Sequence, residues 1–481
     1  MLHNDPIAAL TPEVIAWRHH IHCNPELGFD ENETARFIAE KLRAFGFDEV
    51  HEGIGGTGVV GVLRSGTGTR AIGLRAELDA LPIVERTGLP YASRNEGVMH
   101  ACGHDGHTAM LLGAASLLSQ SRAFDGTVYF VFQPAEENEG GSLRMIEDGL
   151  FERFPVEAIY AVHNWPGLEQ GTIAARAGAQ MAAVDNFKLT FEGFGAHAAM
   201  PQLGDDPILA AGAFVQAVQR IVSRSVDPQT ALVVSLTQIH GGKVGNIVPG
   251  RVWLQGTCRF FEPGHSDHCE KLIGEIAHGI AAAHALKATL DYNKGYPPLI
   301  NTADATARAI AAAAATVGSE NVSTEFSPSL GCEDFAFMIR EAGGCYAWIG
   351  VGDVGPARAC TATATSSMTR SCRPCWATTS TWSSRRFPPR EPSEGKLTAQ
   401  RERGVRREPT RRISAGCGHE LRYADGIFQH CLCGIGLIFI DLRHHKNDAL
   451  FNVRLTRLSG NIGRCLEKPT SKAAAGPTDK S

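Results

Sequence analysis

The chain has 481 residues, of which 43% are hydrophobic and 20% are charged, so it is long enough for two or more globular domains. Its net charge of −5 offers no basic surface to nucleic acid or to an anionic membrane, and no apolar run reaches the length of a membrane span. The N-terminus lacks a basic region followed by an apolar stretch, and the cysteines suggest no disulfide framework. We therefore expect a cytoplasmic protein without a nucleic-acid or membrane partner.

The first part of the chain alternates between strand-like and helical patterns. Residues 11–46 predict two helices joined by a turn, with Thr11 as a cap before Pro12. A further helix is predicted for GHTAMLLGAASLLSQ, and short apolar runs predict buried strands in GTGVVGVLRSG, RAIGLRAELDALPI, GTVYFVFQPAEE and AIYAVHNWP. This alternation favours an α/β fold with a mixed, largely parallel sheet flanked by helices. Ligands bind at the carboxyl ends of the strands in such sheets.

The pattern changes near Ala182. Strands are predicted for NFKLTFEGFGAHAAMP, TALVVSLTQIHGG, GNIVPGRVWLQGTCRFF and KATLDYNKG, with helices at about residues 206–224 and 266–286. Two helices with an antiparallel-looking sheet predict a small α+β domain over residues 182–295. Beyond it, TADATARAIAAAAATVG predicts a helix and CYAWIGVG a strand that can rejoin the first sheet. We therefore expect a catalytic domain in two parts, residues 1–181 and 296–355, with residues 182–295 inserted between them.

Metal-capable side chains of the first part lie at predicted strand ends or in the turns that follow them. Thiolate, imidazole and carboxylate together suit a borderline divalent ion such as Zn, Mn, Co or Ni. The candidates are Cys102, His104, Glu137 and His163. Each of these side chains alone would more often be structural, and it is their combination that indicates a metal site.

Two further acids lie near these candidates. Glu136 cannot point the same way as Glu137 on an extended strand, so it is a candidate general base for water. Asp79 lies at another predicted strand end, where it could orient a ligand histidine. An aspartate of an ordinary turn before proline is an equally good interpretation of Asp79 from spacing alone.

Eight motifs over about residues 8–352 resemble a known family. They are, in order, RAELDALPI, MHACGHDGHTAMLLGAA, FQPAEENEGG, AVHNWPG, GFGAHAAMPQLGDDPI, GNIVPG, GTCRFF and GCEDFAFM. The string is similar to that of the hippurate hydrolase and N-acyl-amino-acid amidohydrolase family, which includes the auxin-conjugate hydrolases. That family belongs to the dinuclear aminoacylase/carboxypeptidase superfamily. The resemblance implies hydrolysis of the amide bond of N-acyl amino acids, hippurate-like or auxin-conjugate-like.

The resemblance also implies a cofactor and an assembly. It implies two divalent metal ions, with Cys102 as the bridging ligand and with three terminal ligands, His104, Glu137 and His163. It further implies that the inserted domain mediates dimerisation, so that the protein is a homodimer or a homotetramer.

Roles for the remaining residues follow from the same resemblance. Glu136 resembles the general base, and Asn246 resembles a residue that helps to hold the substrate. His197 resembles the histidine that polarises the scissile carbonyl, often from the other subunit of a dimer. Glu77 stands where the family usually has an aspartate, whereas Asp79 is retained.

The composition breaks near Pro356, and residues 356–481 predict an aberrant, disordered tail rich in Thr, Ser, Arg, Pro and Cys. The family expects a fifth metal ligand here, in a segment resembling His-x-x-x-Tyr-x-Phe-Asn-Asp. In a reading frame shifted by one base, each new codon takes the last base of one codon and the first two bases of the next. Every threonine codon starts with AC, so the corresponding shifted codon encodes His, Tyr, Asn or Asp. With permitted codons, the shifted sequence from Thr361 onwards matches the expected segment. The shifted codon that spans Met368 and Thr369 is GAC, which encodes aspartate. We interpret the tail as the product of a frameshift, in the gene or in its sequencing.

Two functional hypotheses remain open at this point. The first is an active metal-dependent amidohydrolase. The second is a catalytically impaired remnant of that family, which folds and binds metal or a ligand without turnover. Because one of five ligands is missing, this chain is expected to retain one ion better than two.

Overall fold

A computed structural model describes residues 6–137 and 140–352 of the chain. The helices in these ranges are α1 (Pro6–Cys23), α2 (Asn32–Ala44), α3 (His104–Ser121), α4 (Gly141–Glu147), α5 (Leu150–Arg153), α6 (Pro207–Ala217), α7 (Arg220–Arg224), α8 (Gly264–Ala283), α9 (Ala303–Val317) and α10 (Phe335–Ala342). None of them is both long and apolar enough to cross a bilayer.

The strands form two main sheets and two short ribbons. In chain order they are β1 (Glu49–Ile54), β2 (Gly58–Ser65), β3 (Ala71–Glu77), β4 (Gly126–Gln133), β5 (Ile159–Trp165), β6 (Ile173–Ala174), β7 (Gly178–Met181), β8 (Ala183–Glu192), β9 (Ala196–His197), β10 (Leu232–Gly241), β11 (Ile247–Val248), β12 (Arg251–Phe260), β13 (Lys287–Lys294), β14 (Leu299–Asn301), β15 (Val322–Ser323) and β16 (Gly344–Gly350).

The larger sheet has eight strands in the order β1-β2-β4-β3-β5-β16-β6-β15. Its centre is parallel, because β4, β3, β5 and β16 run in the same direction, whereas β1 and β2 are antiparallel to their neighbours. The predicted α/β fold, with a mixed and largely parallel sheet, is confirmed. The carboxyl ends of β3, β4 and β5 therefore meet at one edge of the sheet.

Helices cover both faces of this sheet because its strands alternate their buried side chains between the two faces. Val128, Phe130 and Phe132 of β4 pack with helices α1, α2, α3 and α9 on one face. Tyr129 and Val131 pack with α4, α5 and α10 on the other face. A sheet buried on both faces explains why its strands read as nearly continuous apolar runs.

The second sheet, β10-β12-β8-β13, is antiparallel throughout. Phe187 and Leu189 of β8 face helices α6 and α8 and are buried, whereas Asn186 and Lys188, which alternate with them along the strand, are exposed. This sheet has its own hydrophobic core, distinct from the two cores of the larger sheet. All of its strands and both helices lie within the predicted range 182–295.

Two predicted helix boundaries are wrong. The predicted helix 206–224 is two helices, α6 and α7, and Asp206 caps α6 by accepting hydrogen bonds from Ile208 N (3.0 Å) and Leu209 N (3.2 Å). Helix α1 begins at Pro6 instead of near Thr11, whose hydroxyl donates to Ile7 O (2.7 Å) inside the helix. Ile7 is buried in the core, and this tertiary packing extends the helix past the local signal. The predicted tail, residues 356–481, lies outside the described residues, as do residues 353–355.

Candidate metal centre

His104 is the first residue of α3, and Asp79 holds its ring. The Nδ1–H group of His104 donates to the backbone oxygen (2.9 Å) and to Oδ1 (3.1 Å) of Asp79, which follows β3. The other carboxylate oxygen of Asp79 accepts from the backbone N–H of Glu137 at 2.8 Å. Asp79 therefore fixes a histidine and a glutamate that come from different elements, and it leaves His104 Nε2 facing the centre of the site.

Cys102 and His163 face each other at the same edge of the sheet. Cys102 lies in the turn before α3, His163 lies on β5, and the Cys102 Sγ to His163 Nε2 distance is 3.4 Å. Because His163 Nδ1 lies 2.7 Å from the carbonyl oxygen of Asn164, that nitrogen carries the proton and donates it. The lone pair of His163 Nε2 is consequently directed toward Cys102.

The two glutamates follow β4, and a backbone turn separates them from the strand. Ala135 adopts a left-handed conformation with φ of 51°, which a residue with a side chain seldom adopts. Its N–H donates to Glu31 Oε1 at 2.8 Å, which holds the turn in place. After this turn, Glu136 is almost fully buried and lies with its Oε2 atom 4.0 Å from His104 Nε2, whereas Glu137 is half-buried.

The donor atoms of the predicted ligands are close enough for metal ions. Those of Cys102, His104 and His163 lie within 4.8 Å of one another, and so do those of His104, Glu136 and Glu137. His104 Nε2 is buried without a hydrogen-bond partner among the described residues. A buried nitrogen without a partner is costly unless an ion or a water completes it, so the residues fit a divalent cation with sulfur, nitrogen and oxygen ligands.

Burial shifts the pKa values of these groups in different directions. It lowers the pKa of His163 to about 3, so its ring is a neutral ligand at neutral pH. It raises the pKa of the Cys102 thiol to about 12, so a cation must displace the thiol proton in order to bind there. Burial raises the pKa of Glu136 well above its ordinary value, and the nearby Glu333 and Asp334 carboxylates add to the rise.

A buried charged network lies next to Glu136, and no local sequence pattern predicts it. The guanidinium of Arg75 on β3 forms ion pairs with Glu77, with Glu333 (3.0 Å) and with Asp334 (3.1 Å). The backbone N–H of Asp334 is 3.4 Å from Glu136 Oε1. The GCEDFAFM motif contains both acids, but nothing in the local pattern pairs them with an arginine more than 250 residues earlier.

His197 and Asn246 belong to different elements from the donor cluster, which is Cys102, His104, Glu136, Glu137 and His163. His197 lies on β9 and pairs with Ile247 of β11, and the preceding residue, Asn246, accepts the N–H of Ala198 at 2.9 Å. Both side chains are exposed. Within residues 6–137 and 140–352, no hydrogen bond or ion pair joins either of them to the donor cluster. The structure thus brings the two residues together, but not with the predicted ligands.

Known proteins share both the sequence and the fold. The chain is 42% identical over 332 residues to a hippurate hydrolase of Campylobacter jejuni, covering 69% of this chain and 86% of that protein. It is 39% identical to an N-acetyl-L-cysteine deacetylase of Bacillus subtilis, covering 72% and 82% respectively. The crystal structure of the Bacillus subtilis YxeP protein, a dinuclear metal-binding peptidase of family M20, has a TM-score of 0.64 and 33% identity, covering 77% of this chain and 98% of that one. Together with the donor cluster, these similarities in sequence and fold place the chain in the class of metal-dependent amidohydrolases.

The family itself follows from one further match. The family model for peptidase family M20/M25/M40 matches residues 73–369, which are more than half of the chain. The chain belongs to this family.

Proposed function

We propose that the protein hydrolyses the amide bond of N-acyl amino acids, with hippurate-like or auxin-conjugate-like compounds as substrates. The observation that carries the proposal is the convergence of Cys102, His104 and His163 donor atoms within 4.8 Å, with Glu136 beside them. The names of relatives at about 40% identity support the same class of substrate.

The ligands we propose are Cys102, bridging two divalent ions, with His104, Glu137 and His163 as terminal ligands. Zn, Mn, Co and Ni all suit this mixture of sulfur, nitrogen and oxygen donors. When bound, such ions lower the pKa of a coordinated water and polarise an amide carbonyl. Asp79 keeps His104 Nε2 and the Glu137 backbone in place for this purpose.

The proposed role of Glu136 is to move a proton. Its carboxylate takes a proton from the attacking water and returns it to the leaving amine. A carboxyl that can both hold and release a proton near neutral pH needs a raised pKa, and burial together with Glu333 and Asp334 provides one. The N–H of Asp334 helps to orient the carboxylate.

We propose that His197 and Asn246 act from the other subunit of a homodimer or homotetramer. His197 would stabilise the developing oxyanion and Asn246 would hold the substrate. Their exposure on a ribbon without a contact to the donor cluster of the described chain supports this arrangement. Residues 182–295, with a sheet and a core of their own, are the proposed inserted domain.

The test compares the 481-residue chain with a version whose reading frame is restored near Pro356. The measurements are metal content per chain and hydrolysis of N-benzoylglycine. We expect the 481-residue chain to hold closer to one ion than two and to hydrolyse this substrate poorly or not at all. The restored chain is expected to regain the second ion and the activity, because the restored segment supplies an additional histidine.

One outcome would contradict the proposed activity, and another would contradict only the expectation that the 481-residue chain is impaired. If the restored chain binds metal but hydrolyses no N-acyl amino acid, the chain represents the non-catalytic remnant. Full activity of the unrestored chain would show that the additional histidine is dispensable, or that a tail residue such as His419 or His430 replaces it.

A further inference from the structure

His107 lies one turn beyond His104 on α3, and both of its ring nitrogens are engaged. Nδ1 is 2.8 Å from Glu77 Oε2, and Nε2 is 2.8 Å from the side-chain oxygen of Asn164. The backbone N–H of Asn164 also points at Nε2, at 3.2 Å. His107 is therefore not free to bind an ion, although its donor atoms lie near those of Glu77 and His104.

Glu77 is fixed from its other side. Its carboxylate pairs with the buried guanidinium of Arg75, which lies two residues earlier on the same face of β3. The backbone oxygen of Glu77 accepts from the hydroxyl of Thr108 at 2.7 Å. Arg75, Glu77 and His107 are all buried, so this line of contacts excludes water and is held in one arrangement.

The line of contacts ends at the candidate ligand His163. The carbonyl oxygen of Asn164, whose backbone N–H donates to His107 Nε2, accepts the Nδ1–H of His163 at 2.7 Å. The rings of His107 and His163 are also in edge-to-face contact, with centroids 4.7 Å apart. The orientation of His163 Nε2 toward Cys102 thus depends on where β5 is held at Asn164.

We propose that His107 is a positioning residue, which with Glu77 aims the Nε2 lone pair of His163 at the metal centre. This inference rests on the proposed role of His163 as a ligand. Hydrogen bonds to the far nitrogen of a ligand histidine fix its tautomer and its ring orientation. Here that support is one residue removed, since it passes through the Asn164 backbone.

The experiment is a double-mutant cycle on the metal-free 481-residue protein, with Zn²⁺ affinity measured by competition against a chelating dye. The variants are His107→Ala, His163→Ala and the double variant. We expect His107→Ala to weaken Zn²⁺ binding by about 10- to 100-fold, the usual loss when support for a ligand is removed. In the His163→Ala background the same substitution should have no further effect, because its target is gone. A merely structural role would weaken binding in both backgrounds.

Thr11→Val is the matched control. It removes a buried hydrogen bond within α1, in which the hydroxyl of Thr11 donates to Ile7 O at 2.7 Å, without touching Glu77, His107 or Asn164. Its Zn²⁺ affinity should equal that of the unsubstituted chain. Circular dichroism of the metal-free variants reports whether they fold. If His107→Ala does not fold, Glu77→Gln, which keeps the volume, should give a smaller loss that also vanishes in the His163→Ala background.

The experiment distinguishes failure of the positioning role from failure of the proposed function. Unchanged affinity in His107→Ala, or a loss that persists in the His163→Ala background, would overturn the positioning role while leaving the proposed function intact. Unchanged affinity in His163→Ala would overturn the ligand assignment on which the proposed function depends.

Discussion

His104 and His197 belong to the two main parts of the molecule and are held very differently. His104 is 1% exposed, and its ring is fixed by two hydrogen bonds to Asp79 at the edge of the larger sheet. His197 is exposed on the ribbon beside the second sheet, where its Nδ1 accepts one hydrogen bond, from Ala199 N at 3.1 Å. The first histidine is pre-positioned by the fold, whereas the second depends on whatever approaches it.

This contrast indicates that the two histidines have different roles. Groups that hold ions gain from rigid burial, because a displaced ligand weakens the whole set. A group that contacts substrate from another subunit must stay exposed until that subunit is in place. The two regions should therefore respond differently to substitution, and the predictions below test that difference in the frame-restored protein.

The largest effect is expected for Glu136→Gln. The amide keeps the shape of the side chain but cannot accept the proton, so turnover should fall by about 100- to 10,000-fold. Metal content should be unchanged, because Glu136 is not a proposed ligand. Steady-state hydrolysis and metal analysis provide the measurement. Glu147→Gln, at an exposed glutamate of α4, is the control. Normal hydrolysis by the Glu136 variant would rule out its role as the base.

The next effect is expected for His197→Ala. Loss of one oxyanion donor typically costs about 100- to 1,000-fold in turnover. Metal binding should be unaffected, because among residues 6–137 and 140–352 no hydrogen bond or ion pair joins His197 to the donor cluster. Mixing this variant with Glu136→Gln should restore part of the activity, since a mixed dimer contains one intact site. His240→Ala, at another exposed histidine of the same region, is the control. Absence of rescue in a verified mixed dimer would place His197 in its own subunit's site.

A smaller effect is expected for Asp79→Asn. The substitution weakens the hold on His104 and Glu137 together, and metal affinity should fall by about 10- to 100-fold. Asp185→Asn provides a control from the second sheet, where a buried aspartate accepts hydrogen bonds from Ser266 Oγ (2.6 Å) and Tyr292 OH (2.9 Å). Titration with Zn²⁺ should show a loss in the first variant alone. Equal losses in both would mean that the two regions are not independent.

The smallest change in structure is expected for residues 182–295 when they are expressed alone. Because this range carries its own sheet and its own buried core, it should fold without the rest of the chain and should self-associate. Circular dichroism and sedimentation at rising concentration are the measurements. A folded fragment that stays monomeric at high concentration would count against dimerisation through this region.

Local patterns in the sequence determined much of the architecture. Apolar runs bounded by glycine predicted the central strands of the larger sheet, and the run of strands after Ala182 predicted the antiparallel-looking second sheet. The same patterns put Glu137 and His163 near strand ends and Cys102 just before a helix, so the kinds of donor at the site could be predicted before their geometry. These features depend on residues close in the chain, which is why a single sequence reveals them.

Other features depend on residues that are far apart in the chain. From spacing alone, Asp79 was equally an ordinary turn residue, and only the structure shows it between His104 and the Glu137 backbone. Likewise, Ile7 extends α1 beyond its predicted start because the core accommodates it.

The buried network shows the same limit most clearly. Arg75 meets Glu333 and Asp334 across more than 250 residues, and His107 meets Asn164 on another strand. A buried charge is tolerated only with partners, so these residues must be paired, but the sequence does not say with what. The choice of partner is made when β3, β5, α3 and the start of α10 pack together, and that packing is a property of the tertiary structure alone.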